Sequence, residues 1–99
     1  MNIQADRTLQ EARTTMSATD VIAEAKRFFA RRNTIYAAFV EREGPTFVSL
    51  RGQGGEEVLI GVAAAPDGAG TRVTGSSYLF DQQIARFFAT LPPAAESAS

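Results

Sequence analysis

The chain has 99 residues and a mass of 10.6 kDa, and 44% of its residues are hydrophobic and 21% charged, as is typical of one small globular domain. It contains no cysteine and no histidine, which excludes disulfides, thiolate catalysis, Cys/His zinc sites and imidazole general bases. The formal net charge of −1 creates no field that would attract nucleic acid or a membrane surface. We therefore expect no metal, no cofactor and no nucleic-acid partner.

Two further features indicate where the chain is found and how it is organised. No apolar run reaches the ~18–20 residues of a membrane span, and the polar N-terminus lacks the apolar segment of a secretory signal, so we expect a cytoplasmic protein with no membrane partner. The composition predicts a flexible N-terminal arm over residues 1–16, a single domain over 17–93 and a disordered tail over 94–99. Alternating apolar and polar residues up to Leu9 leave open an additional edge strand.

The first predicted element is an amphipathic helix over residues 18–32. Ser17 and Thr19 are both candidate N-caps, and Asp20 places a carboxylate in the first turn, where the helix dipole favours it. Apolar residues then recur at helical spacing and define one stripe: Val21, Ile22, Ala25, Phe28 and Phe29. Asn33 is the predicted stop.

The middle of the chain predicts a four-stranded antiparallel meander. The strands are expected over residues 34–43, 46–53, 56–65 and 71–79. The breaks between them carry glycine, proline or aspartate and are too short for parallel crossovers.

A second amphipathic helix follows the meander. Asp81 is its expected N-cap, and the two prolines at 92 and 93 should end it. Its apolar stripe has the spacing i, i+3, i+4 and i+7: Ile84, Phe87, Phe88 and Leu91. The fold class is therefore α+β, a two-layer α-β-β-β-β-α domain with both helices on one face of the sheet.

Strand alternation assigns the side chains of the meander to two faces. The face expected to receive the helices holds Tyr36, Ala38, Val40, Val48, Leu50, Val58, Ile60, Val62, Val73 and Gly75. The opposite face is expected to hold Ile35, Ala37, Phe39, Phe47, Ser49, Arg51, Leu59, Gly61, Ala63, Thr74, Ser76 and Tyr78. Because this second face retains large apolar side chains, it is predicted to be an interaction surface.

The segment 51–57, RGQGGEE, has three glycines and two interpretations. It could form a backbone nest for an anion, but such a nest should open a helix, whereas a strand follows here. A glycine-rich hairpin turn is the preferred interpretation. Basic residues at the end of the first helix are interpreted as a solvated face: Lys26, Arg27, Arg31 and Arg32.

The order helix, four-stranded meander, helix over residues 17–93 resembles two groups of folds, without a family-specific motif. One is the helix-grip group (polyketide-cyclase/START-like), a resemblance that implies a cavity for an apolar ligand. The other is the TATA-binding-protein-like group, which implies an exposed sheet surface that binds nucleic acid. This chain departs from the first by its short sheet and last helix, and from the second by lacking a basic flank. Both resemblances concern topology alone.

Three functional hypotheses follow. The first is a non-catalytic module that forms a homodimer through the second sheet face or a sheet edge. The second is a carrier or sensor of a small apolar ligand. The candidate dimer- or ligand-binding residues are Ile35, Phe39, Phe47, Arg51, Leu59 and Tyr78. The third, weaker hypothesis is an enzyme using Arg51, Glu56 and Tyr78, which requires these side chains to converge in one concave site.

Overall fold

A computed structural model describes residues 8–31, 37–65, 70–77 and 80–94. Its elements, in chain order, are β1 (Thr8–Thr14), α1 (Ala18–Ala30), β2 (Ala38–Gly44), β3 (Phe47–Gly52), β4 (Glu57–Ala64), β5 (Thr71–Ser77) and α2 (Asp81–Thr90). No described helix has both the length and the apolar character needed to cross a membrane.

The strands form one antiparallel sheet in the order β1-β5-β4-β3-β2. The α+β class and the meander of β2 to β5 are confirmed, but the sheet has five strands and the sequence predicted four. The first strand, β1, lies at one edge beside β5, and β2 lies at the other edge. The chain therefore crosses the whole sheet between β1 and β2, and α1 lies in that crossing.

Helix α1 begins where its capping residues predict. The Ser17 hydroxyl accepts a hydrogen bond from the Asp20 N–H at 3.2 Å, so Ser17 and not Thr19 is the N-cap. The helix ends at Ala30, with Arg31 as its C-cap, two residues short of the predicted end at residue 32, and the predicted stop Asn33 lies outside the described residues. Of the two adjacent phenylalanines, Phe29 is fully buried and Phe28 partly buried.

Helix α2 begins without a side-chain cap. Asp81 is the first helical residue, and Phe80 is the N-cap, so the prediction that Asp81 caps the helix is wrong. The Asp81 carbonyl instead accepts a hydrogen bond from the Gln10 side chain of β1 at 2.7 Å. At the other end Leu91 is extended, as a residue before proline prefers, and the helix stops at Thr90.

The core lies between the sheet and the two helices. Val48 faces Ile60, Leu50 faces Val58 and Val62 faces Val73, which confirms the predicted register of the helix-covered face. The phenylalanines of the two helices meet over it, with neighbouring ring centroids 5.1 to 5.9 Å apart. Such aromatic contacts add about 0.5–1.5 kcal/mol per pair beyond the area they bury.

Strand β1 lies inside the segment predicted to be a flexible arm, and it is an edge strand, the alternative that the alternation up to Leu9 left open. It has few apolar residues, and its stability comes from β5 and from the segment that follows α2. The buried Thr14 hydroxyl donates to the Pro92 carbonyl at 2.6 Å, and the Ala94 N–H donates to the Arg13 carbonyl at 3.3 Å. The N-terminal and C-terminal segments therefore brace each other, through contacts that single-chain periodicity cannot reveal.

Candidate functional site

The side of the sheet away from both helices is called the open face below. The strand registers and the alternation of side chains assign its members. They are Leu9, Glu11 and Arg13 on β1, Arg72, Thr74 and Ser76 on β5, Glu57, Leu59, Gly61 and Ala63 on β4, Phe47, Ser49 and Arg51 on β3, and Phe39 and Arg42 on β2. Charged and apolar side chains are interspersed, so this face is more polar than the sequence-based assignment indicated.

Three large apolar side chains on the open face are exposed to solvent. Phe39 is 54% exposed, Leu59 is 38% exposed and Leu9 is 72% exposed. Phe39 and Leu59 lie in the part of the face formed by β2, β3 and β4, whereas Leu9 lies on β1 at the far edge. The predicted positions of Phe39 and Leu59 on this face are confirmed.

A depression of about 390 Å³ lies at the centre of the β2–β3–β4 part of the open face. It exists because Ser49, a small and buried residue, is surrounded by longer side chains. The lining consists of Glu41, Arg42, Phe47, Ser49, Arg51, Glu57 and Leu59. We call this the Ser49 depression.

A β-bulge in the edge strand shapes one wall of the Ser49 depression. The register shifts between Val40 and Arg42, leaving Glu41 as the extra residue. Simple alternation would place Arg42 on the helix-covered face with Ala38 and Val40. The bulge moves Arg42 to the open face, where it lies opposite Ser49.

The bulge also brings Glu41 to Arg51. The Arg51 guanidinium donates to both carboxylate oxygens of Glu41, at 3.0 and 2.7 Å, and to the Gly55 carbonyl at 2.8 Å. The hydrogen bonds from Arg51 lower the pKa of Glu41, and the same pairing raises the pKa of Arg51. The Arg51 side chain therefore links the bulge in β2 to the β3–β4 turn through hydrogen bonds.

The glycine-rich segment is a hairpin turn, as the preferred interpretation predicted. Gly52 and Glu56 close it through a backbone hydrogen bond of 2.7 Å, and Gly55 adopts a φ of +89°, a value that favours glycine. The Gly54 N–H donates to the Glu56 carboxylate at 3.0 Å. The Glu56 carboxylate of the turn therefore occupies the Gly54 N–H, a donor that an external anion would need.

The remaining predicted site residues divide into two groups. Glu56 lies on the helix side of the turn, since a Cβ added at Gly52 would meet both its carboxylate at 2.6 Å and the Phe80 ring at 3.0 Å. Arg51, on the open face, and Glu56 therefore do not share the depression. Ile35 and Tyr78 lie outside the described residues, as does Tyr36 on the predicted helix-covered face.

Two basic residues of α1 form ion pairs with glutamates. Lys26 on α1 contacts the Glu43 carboxylate at 3.2 Å, and Arg27 pairs with Glu24. Arg27 and Arg31 are exposed, as expected of a solvated helix face, and Arg32 lies outside the described residues. Within the described ranges no group of three or more acidic residues is arranged to hold a metal ion.

Sequence reasoning missed three residues that line the depression: Glu41, Arg42 and Glu57. Glu57 could have been found, because it is in phase with Leu59 on β4. Glu41 and Arg42 could not, because their placement depends on the bulge.

Comparisons of the chain with protein-family models, curated proteins and solved structures found no match in any of the three.

Proposed function

We propose that this domain is a non-catalytic interaction module that self-associates through the open face, with a second copy of the chain as the partner. The observation that carries the proposal is the exposure of Phe39 and Leu59, 54% and 38%, beside the Ser49 depression on a face that neither helix covers. Large apolar side chains clustered beside a concave surface are typical of interaction sites.

The size of the apolar surface predicts a weak interaction. Fully burying a large apolar side chain contributes about 1.5–3 kcal/mol, and these side chains are roughly half exposed at the start. Four of them in a symmetric dimer contribute roughly 3–6 kcal/mol, less than the ~8 kcal/mol of a micromolar complex. We therefore expect dissociation constants from micromolar to millimolar, with polar contacts supplying part of the affinity.

The charges around the depression favour a second copy as the partner. Glu41 and Glu57 are negative and Arg42 and Arg51 positive, so the lining has no net charge. In a two-fold symmetric contact the same patch meets itself, which requires a self-complementary surface. A patch that carries equal numbers of both signs meets that requirement.

Sedimentation equilibrium up to about 500 µM tests the proposal, a range set by the expected affinity. The parent chain should associate, and Phe39→Ser should weaken association at least tenfold. Val40→Ser is the matched control, because Val40 is the neighbouring residue, 42% exposed, on the opposite side of the sheet. A parent chain that stays monomeric contradicts the proposal, and equal losses for both variants would indicate association through the β2 edge.

A small apolar ligand is the alternative occupant. The volume of about 390 Å³ lies within the range of small-molecule sites. Four charged side chains in the lining favour the self-association proposal over this one. Native mass spectrometry of the purified protein and titration with a fluorescent fatty acid distinguish them, because only a carrier would retain or bind an apolar molecule.

A further inference from the structure

The exposed aromatic ring of the open face lies beside the Ser49 depression without filling it. Phe39 is 54% exposed and is not among the residues that line the depression of its own chain. It faces Arg51 across β2 and β3, and Ser49 lies two residues from Arg51 along β3, so Phe39 and Ser49 are diagonal neighbours about 7–8 Å apart. The open face therefore carries a projecting ring and a depression side by side.

The Ser49 depression has room for a phenyl ring. Its volume is about 390 Å³, and a protein cavity of about 150 Å³ is large enough to hold benzene. The lining offers such a ring two kinds of contact. Phe47 and Leu59 supply apolar surface, and Arg42 and Arg51 supply guanidinium groups, which are attracted to the face of an aromatic ring. These contacts favour an aromatic side chain over an aliphatic one as the occupant.

We propose that Phe39 of each copy inserts into the Ser49 depression of the other. A two-fold axis in the plane of the interface, halfway between Phe39 and Ser49, exchanges the two positions and so forms the same contact twice. Leu9, the other strongly exposed apolar side chain, lies on β1 at the far edge of the sheet, away from the depression. This inference rests on the proposed self-association, and it specifies which group of the partner fills the depression.

Filling the depression from within the chain tests the insertion. Ser49→Leu places an aliphatic side chain where the ring of the partner would lie, so self-association measured by sedimentation equilibrium should weaken at least tenfold. The same substitution adds apolar surface to the open face, so an association that depends on apolar area alone would become tighter or stay unchanged. The direction of the change therefore distinguishes insertion from non-specific apolar contact.

Two control variants separate the filled depression from the other consequences of Ser49→Leu. Ser49→Ala removes the hydrogen bond of 3.3 Å from the hydroxyl to the Glu57 carboxylate and leaves the depression open. Ala63→Leu adds the same leucine at an exposed position of the open face on β4, away from the depression. Both controls should self-associate within about threefold of the parent affinity. Circular dichroism and thermal unfolding establish that every variant is folded.

A mixture of two defective variants should recover part of the association. Phe39→Ser keeps the depression and lacks the ring, whereas Ser49→Leu keeps the ring and lacks the depression. Neither variant can form the contact with itself, but a pair made of one chain of each forms one of the two contacts. The mixture should therefore associate about threefold more tightly than either variant alone, because half the free energy of a tenfold change corresponds to about threefold.

A measurement on the parent chain tests the insertion even if Ser49→Leu does not fold. Isotope-filtered NOE spectra of an equimolar mixture of labelled and unlabelled chains at about 1 mM, the upper end of the expected dissociation constants, detect only contacts between copies. The expected signals join the Phe39 ring of one copy to the Leu59 methyl groups and the Ser49 Hβ protons of the other. Signals between copies that join Phe39 to neither residue contradict the insertion.

The outcomes separate this inference from the proposal beneath it. Weaker association of Ser49→Leu, with parental controls and a tighter mixture, supports the insertion. If the parent associates but Ser49→Leu associates as tightly, if Ser49→Ala is weakened to the same extent, or if the mixture is no tighter than its components, the insertion is wrong and self-association stands. If the parent is monomeric throughout, both are wrong.

Discussion

Neighbouring residues of the same strands lie on opposite faces of this sheet, and the two faces have different surroundings. On the helix-covered face Val48, Leu50 and Ile60 are fully buried, and two helices complete the core. On the open face the alternate positions Ser49, Arg51 and Leu59 line the Ser49 depression. One surface is packed by the chain itself, whereas the other exposes apolar side chains among paired charges. The buried core cluster contains no side chain of the open face, so the residues of that face are available for contacts outside the chain.

The largest expected effect is on the helix-covered face. Phe29→Ala and Phe87→Ala should each lower the free energy of unfolding by about 3–5 kcal/mol, because both rings are fully buried. Phe28→Ala should cost less, because Phe28 is only partly buried against the core. Urea unfolding at low protein concentration measures the difference. Equal losses for Phe28→Ala and Phe29→Ala would contradict the assignment of the helix face.

Glycine substitution compares the two faces at matched positions. A Cβ added at Gly75 would lie 2.7 Å from Ile84 of α2, so Gly75→Ala should lower stability by about 1–3 kcal/mol. A Cβ added at Gly61 meets the Thr74 hydroxyl at 2.9 Å, and that side chain can rotate away.

Gly61→Ala should therefore change stability by less than about 0.5 kcal/mol, as is usual away from the core. Thermal unfolding of both variants provides the measurement. A loss at Gly61 as large as that at Gly75 would mean that the open face is packed as tightly as the core.

The smallest expected effect concerns acid. Hydrogen bonds from Arg51 lower the pKa of Glu41, so the folded state favours the ionised carboxylate. The contribution of this pair is therefore present above the ordinary glutamate pKa, and it is lost as the pH falls through the lowered value. Carbon-detected NMR titration should give Glu41 a pKa below the usual range, and Arg51→Gln should return it there. If the pKa of Glu41 is unchanged in that variant, the hydrogen bonds between Arg51 and Glu41 do not form.

Most of the fold follows from local sequence signals. Glycine and proline at the turns define β2 to β5, and the stripes that contain Phe29 and Phe87 define the helices. Once the turns are placed, period-two alternation fixes which face each residue joins. The assignments of Val48, Leu50, Val58 and Ile60 to the core are correct for that reason.

Long-range contacts account for the parts that local signals missed. Strand β1 is polar, and alternation up to Leu9 left it only as an alternative, because its pairing with β5 and the bond to the Pro92 carbonyl are long-range contacts. Four of the six candidate binding residues lie on the face where the sequence placed them: Phe39, Phe47, Arg51 and Leu59. A one-residue bulge at Glu41 reverses the alternation that follows it and moves Arg42 to the open face, a placement that period-two alternation does not predict.

The proposed role of the open face is tested most directly by two-dimensional amide NMR spectra recorded at about 20 and 500 µM, concentrations within the expected range of dissociation constants. Self-association through the Ser49 depression should shift the amide signals of Phe39, Ser49 and Leu59 as concentration rises, and leave those of α1 and α2 in place. Superimposable spectra with the rotational tumbling of a monomer at both concentrations would contradict it, as would shifts confined to the helices.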